Sequence, residues 1–187
     1  MTTTLPELST ARLALRPRTV ADLDLVAALN SDPQVMRYIA PIGDPAMGRE
    51  GIAARSFSHV GRGLGYWSVF ALDDDQDLIG YVGLIPDGDA ADRVQASYRF
   101  ATRHWGKGIG FEATARLLRH GFETLALPEI GIVTHPRNLA SVRLAEKLGF
   151  QAAGDREDAL IGDPPVPALA FRQTRERWLG GLRPPAA

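Results

Sequence analysis

The period of apolar and polar positions changes several times along the chain, and each change marks an element. Leu13-Ala14-Leu15, flanked by Arg12 and Arg16, reads as a short strand. Thr19 and Asp22 form the pattern of a capping box with Asp in place of Glu, which opens a helix to about Leu29. Ser31-Asp32-Pro33 opens a second helix to Tyr38 or Ile39. Pro41 to Pro45 break the chain, a less regular helix covers about 46 to 60, and Gly61 to Gly65 form a link. Three strands are predicted at 66–72, 78–84 and 94–100. The period then switches, because Phe111, Ala115, Leu118, Phe122 and Leu125 follow at steps of four and three, the spacing of a helix face. A strand at 130–134 comes next, then a helix capped by Asn138 and ended by Gly149 in the place of a left-handed terminator. The last part, including 166–173, supplies two more strands before a brief helix at 175–179 and a Pro- and Gly-rich tail from Gly180. A meander followed by β-α-β-α-β predicts the α+β class with a mixed sheet.

Composition narrows this picture. A chain of 187 residues with 45% hydrophobic and 23% charged residues suits one domain over 1–187, its core at about 11–179. There is no cysteine, so disulfides and thiol nucleophiles are excluded. No apolar run approaches the roughly 20 residues of a membrane span. Met1-Thr2-Thr3-Thr4-Leu5-Pro6-Glu7 lacks the basic and apolar regions of a signal peptide, so the expected location is cytoplasmic. A net charge of −1 argues against nucleic acid as principal ligand. Charge is uneven, however: residues 1–100 are net acidic and 101–187 net basic. Asp73-Asp74-Asp75-Gln76-Asp77 lacks the Gly and Glu of a calcium-binding EF-hand loop and reads as a solvated hairpin turn. His59, His104, His120 and His135 give no metal-binding spacing, so no metal is expected.

Candidate chemistry lies in the basic half. Arg103-His104-Trp105-Gly106-Lys107-Gly108-Ile109-Gly110 stands between a strand pattern and a helix pattern. A glycine-rich turn at a helix N-terminus offers unpaired N–H groups and the positive end of the helix dipole, a cradle for phosphates. The run is no Walker A loop, since Gly108 follows Gly106-Lys107 where Ser or Thr is required. Nor is it a dinucleotide fingerprint, since Phe111 stands at the third glycine position. What remains is Arg-x-x-Gly-x-Gly, formed by Arg103, Gly106 and Gly108. This pattern resembles the acetyl-coenzyme A pyrophosphate loop of the GCN5-related N-acetyltransferase (GNAT) superfamily. The Trp105-Gly106-Lys107-Gly108 core, with Glu112-Ala113 after it, is similar to the RimJ/RimL-like branch. A second motif, Pro136-Arg137-Asn138-Leu139-Ala140-Ser141 ending in Lys147-Leu148-Gly149-Phe150, is similar to that branch's P-x-N-x-x-S…K-L-G-F signature.

The resemblance implies a largely antiparallel mixed sheet flanked by helices, with two parallel strands splayed around the pantetheine arm. It implies acetyl-CoA as cosubstrate and a primary amine as acceptor, either a small molecule or a protein N-terminus such as that of a ribosomal protein. Neither nucleic acid nor membrane is an expected partner, and a homodimer is possible in the branch. Carried over, Phe100, Ala101 and Thr102 would offer backbone groups to pantetheine and the thioester carbonyl. Arg103, Gly106, Lys107, Gly108, Ile109 and Gly110 would hold the pyrophosphate. Asn138 would bond the pantetheine amides, Ser141 would point toward sulfur or cofactor phosphate, and Arg143 or Arg137 would reach the ribose 3′-phosphate. Trp67 and Tyr98 are candidate walls of the acceptor pocket, and Tyr38 and Ile42 lie in the region that shapes acceptor selectivity.

Acyl transfer to an amine needs a neutral amine and a proton or hydrogen bond for the departing thiolate, since free thiols have pKa near about 8.5. Gln95 stands where many family members carry Glu, and Gln takes up no proton at neutral pH, so base work there would need a relayed water. Ala145 occupies the slot of the usual acidic Tyr, which leaves Ser141 as the group to meet sulfur. These two departures keep a second reading open, a CoA-binding module without catalysis.

Overall fold

The structure, a computed structural model, describes residues 4–74, 76–88 and 90–182. Asp75 of the acidic turn, Asp89, Met1 to Thr3 and the tail beyond Leu182 lie outside the described residues. An eight-stranded sheet carries the chain: β1 (Leu8–Ser9), β2 (Leu13–Pro17), β3 (Gly65–Ala71), β4 (Gly80–Asp87), β5 (Ala90–Phe100), β6 (Glu129–Thr134), β7 (Gln151–Ile161) and β8 (Val166–Thr174). Spatial order is β1-β2-β3-β4-β5-β6-β8-β7. Every pairing is antiparallel except β5 with β6. Parallel neighbours need a crossover, and α4 (Ile109–Arg119) supplies it.

Side-chain alternation sorts the strands into two cores. One face carries Leu13, Leu15, Trp67, Val69, Val82, Leu84, Val94, Ala96, Ile130 and Ile132. It packs on Ala113, Leu117 and Leu118 of α4, on Phe122, and on Ala145 of α5 (Leu139–Lys147). The other face presents Tyr66, Phe70 and Tyr81 to α1 (Leu23–Leu29), to Val35 of α2 (Pro33–Met36) and to Ile52 of α3 (Arg49–Phe57). Leu117, Leu118 and Phe122 are fully buried, and each contributes about 1.5–3 kcal/mol on transfer from water.

Several expected elements change length for identifiable reasons. The second helix ends early: Asp32 Oδ1 caps it by accepting from Gln34 N at 2.8 Å, but regular structure stops at Met36. The helix expected over about 46 to 60 divides, because Gly48 is extended (φ −81°, ψ 174°) between a 3₁₀ turn at Pro45–Met47 and α3. The phosphate-loop helix widens after Arg119 into a π-type turn at His120–Thr124. The final helix is a single turn, α6 (Arg175–Arg177), that leads into Trp178, whose ring lies 5.3 Å from that of Phe122. The Thr19 turn is as expected, with Thr19 N donating to Asp22 Oδ2 at 2.8 Å. No described helix is long and apolar enough to cross a membrane.

Candidate active site

Residues 105–110 form a tight bend between a 3₁₀ turn (Thr102–His104) and α4. Gly106 and Gly108 both lie in the left-handed region, at φ +73° and +75°, where a Cβ is strained. Space in front of them is open, since a Cβ at Gly106 would meet nothing within 4 Å and one at Gly108 only Arg12 Nη2 at 3.6 Å. Glu112 N donates the first bond of α4 to Gly108 O at 3.0 Å, so the N–H groups just ahead of it have no intrahelical acceptor. This bare, N–H-lined bend fits a diphosphate.

Its underside is built by residues that spacing alone did not reveal. Glu112 is buried and receives Thr10 Oγ1 at 2.5 Å, Arg12 Nε at 2.7 Å and Arg12 N at 3.2 Å. Arg12 Nη1 and Nη2 also donate to Lys107 O, each at 3.2 Å, so one guanidinium ties β2 to both the loop and the helix. Burial works against the Glu112 charge, but the bonds from Thr10 and Arg12 outweigh it and hold the carboxyl below its ordinary value. The neutralised pair lets an acid sit in the first turn without repelling an anion.

The strands beside the loop diverge. Among the described residues, β5 and β6 share a single Cα pairing, Gln95 with Gly131, and beyond it their facing edges are no longer paired to each other. Asn138 caps α5, its Oδ1 accepting from Ser141 N at 3.2 Å. Ser141 is buried, and its Oγ lies 2.8 Å from Tyr98 Oη on β5, a contact that bridges the divergence. Its packed surroundings push the Tyr98 phenol up to about 12, and the bond to Ser141 offsets only part of that.

On the helix side of this opening lies a cavity of about 240 Å³. Its walls include Gln95, Ser97, Tyr98 and Arg99 of β5, Tyr66 and Tyr81, Tyr38 and Ile39, Arg18 and Arg55, and Thr134, Asn138 and Ser141. Ile161 closes the far side, where Gly162 N donates to Ile39 O at 3.1 Å. Arg18 stacks on both Tyr66 (4.5 Å) and Tyr81 (4.4 Å). Burial, then the neighbouring Tyr81, pushes the Tyr66 phenol above its ordinary value.

The structure gathers Gln95, Tyr98, Asn138, Ser141 and Tyr38 around one cavity and puts Gly106 to Gly110 in the bend that follows β5 and opens α4. The other candidates lie outside these walls. Trp67 is fully buried on the opposite sheet face, edge-on to His120 at 5.7 Å with Nε1 donating to Pro6 O, because strand parity gives the cavity to Tyr66. Ile42 is 55% exposed and is not among the cavity walls. Arg103 pairs with Asp77 and donates to Leu78 O at 3.1 Å, both through Nη2, which ties one of its three nitrogens to the β3–β4 turn. Main-chain groups of Phe100, Ala101 and Thr102 are also largely used: Phe100 O accepts from Trp105 Nε1 at 2.7 Å, Ala101 N donates to Ile79 O at 2.9 Å, and Thr102 O accepts from Trp105 N at 3.1 Å. The open β5 edge lies upstream of them. Arg143 is exposed on α5, outside the cavity walls. Arg18, Arg55 and Arg99 escaped the sequence reading because they lie far apart along the chain; the one signal was three arginines on otherwise apolar or strand-like segments.

A family model described as the acetyltransferase (GNAT) domain matches residues 12–151. The uncharacterised N-acetyltransferase p20 of Bacillus licheniformis is 31% identical over 149 residues, covering 79% of this chain and 83% of that protein. An acetyltransferase from Agrobacterium tumefaciens superposes with a TM-score of 0.74 at 25% identity, covering 91% of this chain and 95% of that one. The fold is also that of RimL, the ribosomal L7/L12 α-N-protein acetyltransferase in complex with coenzyme A, with a TM-score of 0.75 at 14% identity over 90% of this chain and 98% of that one. The matched domain and its relatives define an acetyl-CoA-dependent acyltransferase. The chain belongs to the GNAT family of acetyl-CoA-dependent N-acetyltransferases.

Proposed function

We infer that the chain transfers acetyl from acetyl-CoA to a primary amine seated in the 240 Å³ cavity, by direct attack in a ternary complex. The observation that carries this reading is the cavity's sharing of Gln95, Tyr98, Asn138 and Ser141 with the divergence of β5 from β6, while the bare N–H bend at 106–110 follows β5 in the chain. Acetyl-CoA, when bound, supplies the activated acetyl group.

This chain's residues then do the following. Gly106, Lys107, Gly108, Ile109 and Gly110 hold the diphosphate through main-chain donors, with Arg12 fixing the bend from beneath. Asn138 caps its own helix through Oδ1, which leaves its Nδ2 donor for the pantetheine arm. Ser141 stands where sulfur would depart, and Tyr98 backs it at 2.8 Å. A phenol held near 12 stays protonated throughout the working range, so Ser141 can donate to sulfur while Tyr98 restores its hydrogen bond. Among the described residues no Asp, Glu or His is in the cavity walls, and Gln95 cannot be a base. Arg18, Arg55 and Arg99 instead disfavour a positive charge on the acceptor, so they lower its pKa and promote the neutral amine.

Thiol release from acetyl-CoA in the presence of an amine and peptide panel tests the reading. Turnover is expected for wild type, with at least a tenfold weaker CoA affinity in Gly108→Asp, which adds backbone strain of about 1–2 kcal/mol and a carboxylate at the nest. Trp105 is the half-exposed indole beside the loop, whereas Trp67 and Trp178 are buried, so CoA titration is expected to change intrinsic fluorescence through Trp105. Undiminished CoA binding in Gly108→Asp would remove the nest from the mechanism.

A further inference from the structure

We propose that the acceptor carries a carboxylate beside its amine, and that Arg18, Arg55 and Arg99 receive it. This rests on the acetyl-transfer reading of the same cavity and adds the chemical class of its second substrate.

Charge balance in the cavity carries the inference. Three guanidinium groups line it, and among the described residues no carboxylate does. Arg18 is 7% exposed and spends only Nη1, on Ser56 Oγ at 3.0 Å. Its Nε and Nη2 have no hydrogen-bond partner, and these two atoms form the edge that grips a carboxylate side-on. Arg99 donates Nη1 to Asn30 Oδ1 at 2.7 Å, a neutral acceptor, and otherwise touches the sulfurs of Met36 and Met47. Among the described residues, Arg55 has only Met47 Sδ at 3.6 Å. Asp22 is the carboxylate whose field reaches Arg18, but its Oδ2 already accepts from Thr19 N at 2.8 Å and Ser68 Oγ at 3.2 Å and makes no bond to the guanidinium. Unmatched buried cations are costly, and a cluster of them is retained where an anion is to be bound. Phenols of Tyr66 and Tyr81 add donors on the same side.

The layout also orders the acceptor. Arg55 lies on α3 and Arg18 bonds Ser56 of the same helix, whereas Asn138 and Ser141 lie at the start of α5, which follows β6. A carboxylate at the first places a nearby amine toward the second. A polycation such as spermine meets like charge instead, which costs affinity. A free amino acid and the first residue of a peptide beginning with Asp or Glu share the required chemistry.

The test compares thiol release with free amino acids, their carboxamides, spermine, and peptides that begin with Glu or Gln. Carboxylates are expected to exceed their carboxamides by at least tenfold in kcat/KM, and Arg55→Gln and Arg99→Gln are each expected to cut that ratio about tenfold. Preference for free amino acids would assign the carboxylate to a small molecule, and preference for Glu-led peptides would assign it to a protein terminus. Equal use of carboxamides, better use of spermine, or an unchanged ratio in both variants would overturn the proposal while leaving acetyl transfer standing. If no amine turns over, calorimetry of N-acetylamino acids against the CoA-loaded protein decides. Saturable binding that the carboxamide lacks and Arg55→Gln weakens upholds the proposal; no such difference ends it. CoA affinity measured on each variant confirms that the fold is intact.

Discussion

A hydroxyl pair separated by 2.8 Å couples a strand residue, Tyr98, to a helix residue, Ser141, at the place where sulfur would leave. If both act as one donor, Tyr98→Phe and Ser141→Ala should each lower kcat by about 10²-fold or more, and the double variant should be little worse than either single one. Steady-state kinetics with matched CoA affinities would check this; additive losses would separate the two. Because Tyr98 titrates near 12, activity should rise with pH as the amine loses its proton and show no descending limb from this phenol below about pH 10. Ser141 and Asn138 were legible as a motif, but their partner was not. Tyr98 looked like a pocket wall from the sequence, since nothing in strand periodicity reveals which distant hydroxyl a phenol meets. Trp67 shows the same limit from the other side: one step in parity separates a cavity wall, Tyr66, from a residue sealed in the opposite core.

At the scale of elements, the phosphate bend was readable from its glycines, whereas the bracing beneath it was not. Arg12 and Glu112 are a hundred residues apart, and their contact exists only because β2 runs past the start of α4. Arg12 is half exposed and Glu112 buried, so removing the acid with Glu112→Gln should cost on the order of 1–3 kcal/mol, discounted for screening at Arg12. Denaturant unfolding would measure it, and CoA affinity should fall with it as the loop loses its anchor at Lys107 O. The Glu112 carboxyl titrates below its ordinary value in the folded state, so this contribution is complete above about pH 4.5 and fades as pH falls below that. The variant should therefore approach wild-type stability in acid. Similar reasoning explains the helices that came out shorter than their patterns: Gly48 and the turn after Met36 interrupt apolar periodicity that a one-dimensional reading runs straight through.

Across the whole molecule, the class of fold followed from period changes, as did the order of elements from Leu13 onward, whereas the two-residue strand Leu8–Ser9 is too short to show a period. The cationic cavity did not, because Arg18, Arg55 and Arg99 come from three segments that only the assembled sheet and its covering helices bring together. His120 is a second property of the assembled core. It is buried against Trp67 with Nε2 unpartnered, and burial, then Arg116, lowers its pKa. Unfolding releases a histidine that binds protons more readily, so stability is full above about pH 6.5 and declines as pH falls below it. His104 and His135 shift the same way, so His120→Phe should reduce this decline in thermal unfolding between pH 7 and 5 without abolishing it. The lone pairing of Gln95 with Gly131 has a mechanical meaning as well. On that side the sheet is two flaps joined at a seam, and a ligand arm laid into the gap would lace them. Backbone amides of 96–100 and 132–134 should therefore exchange hydrogen more slowly when CoA is present, and the two flaps should lose independence as they do so.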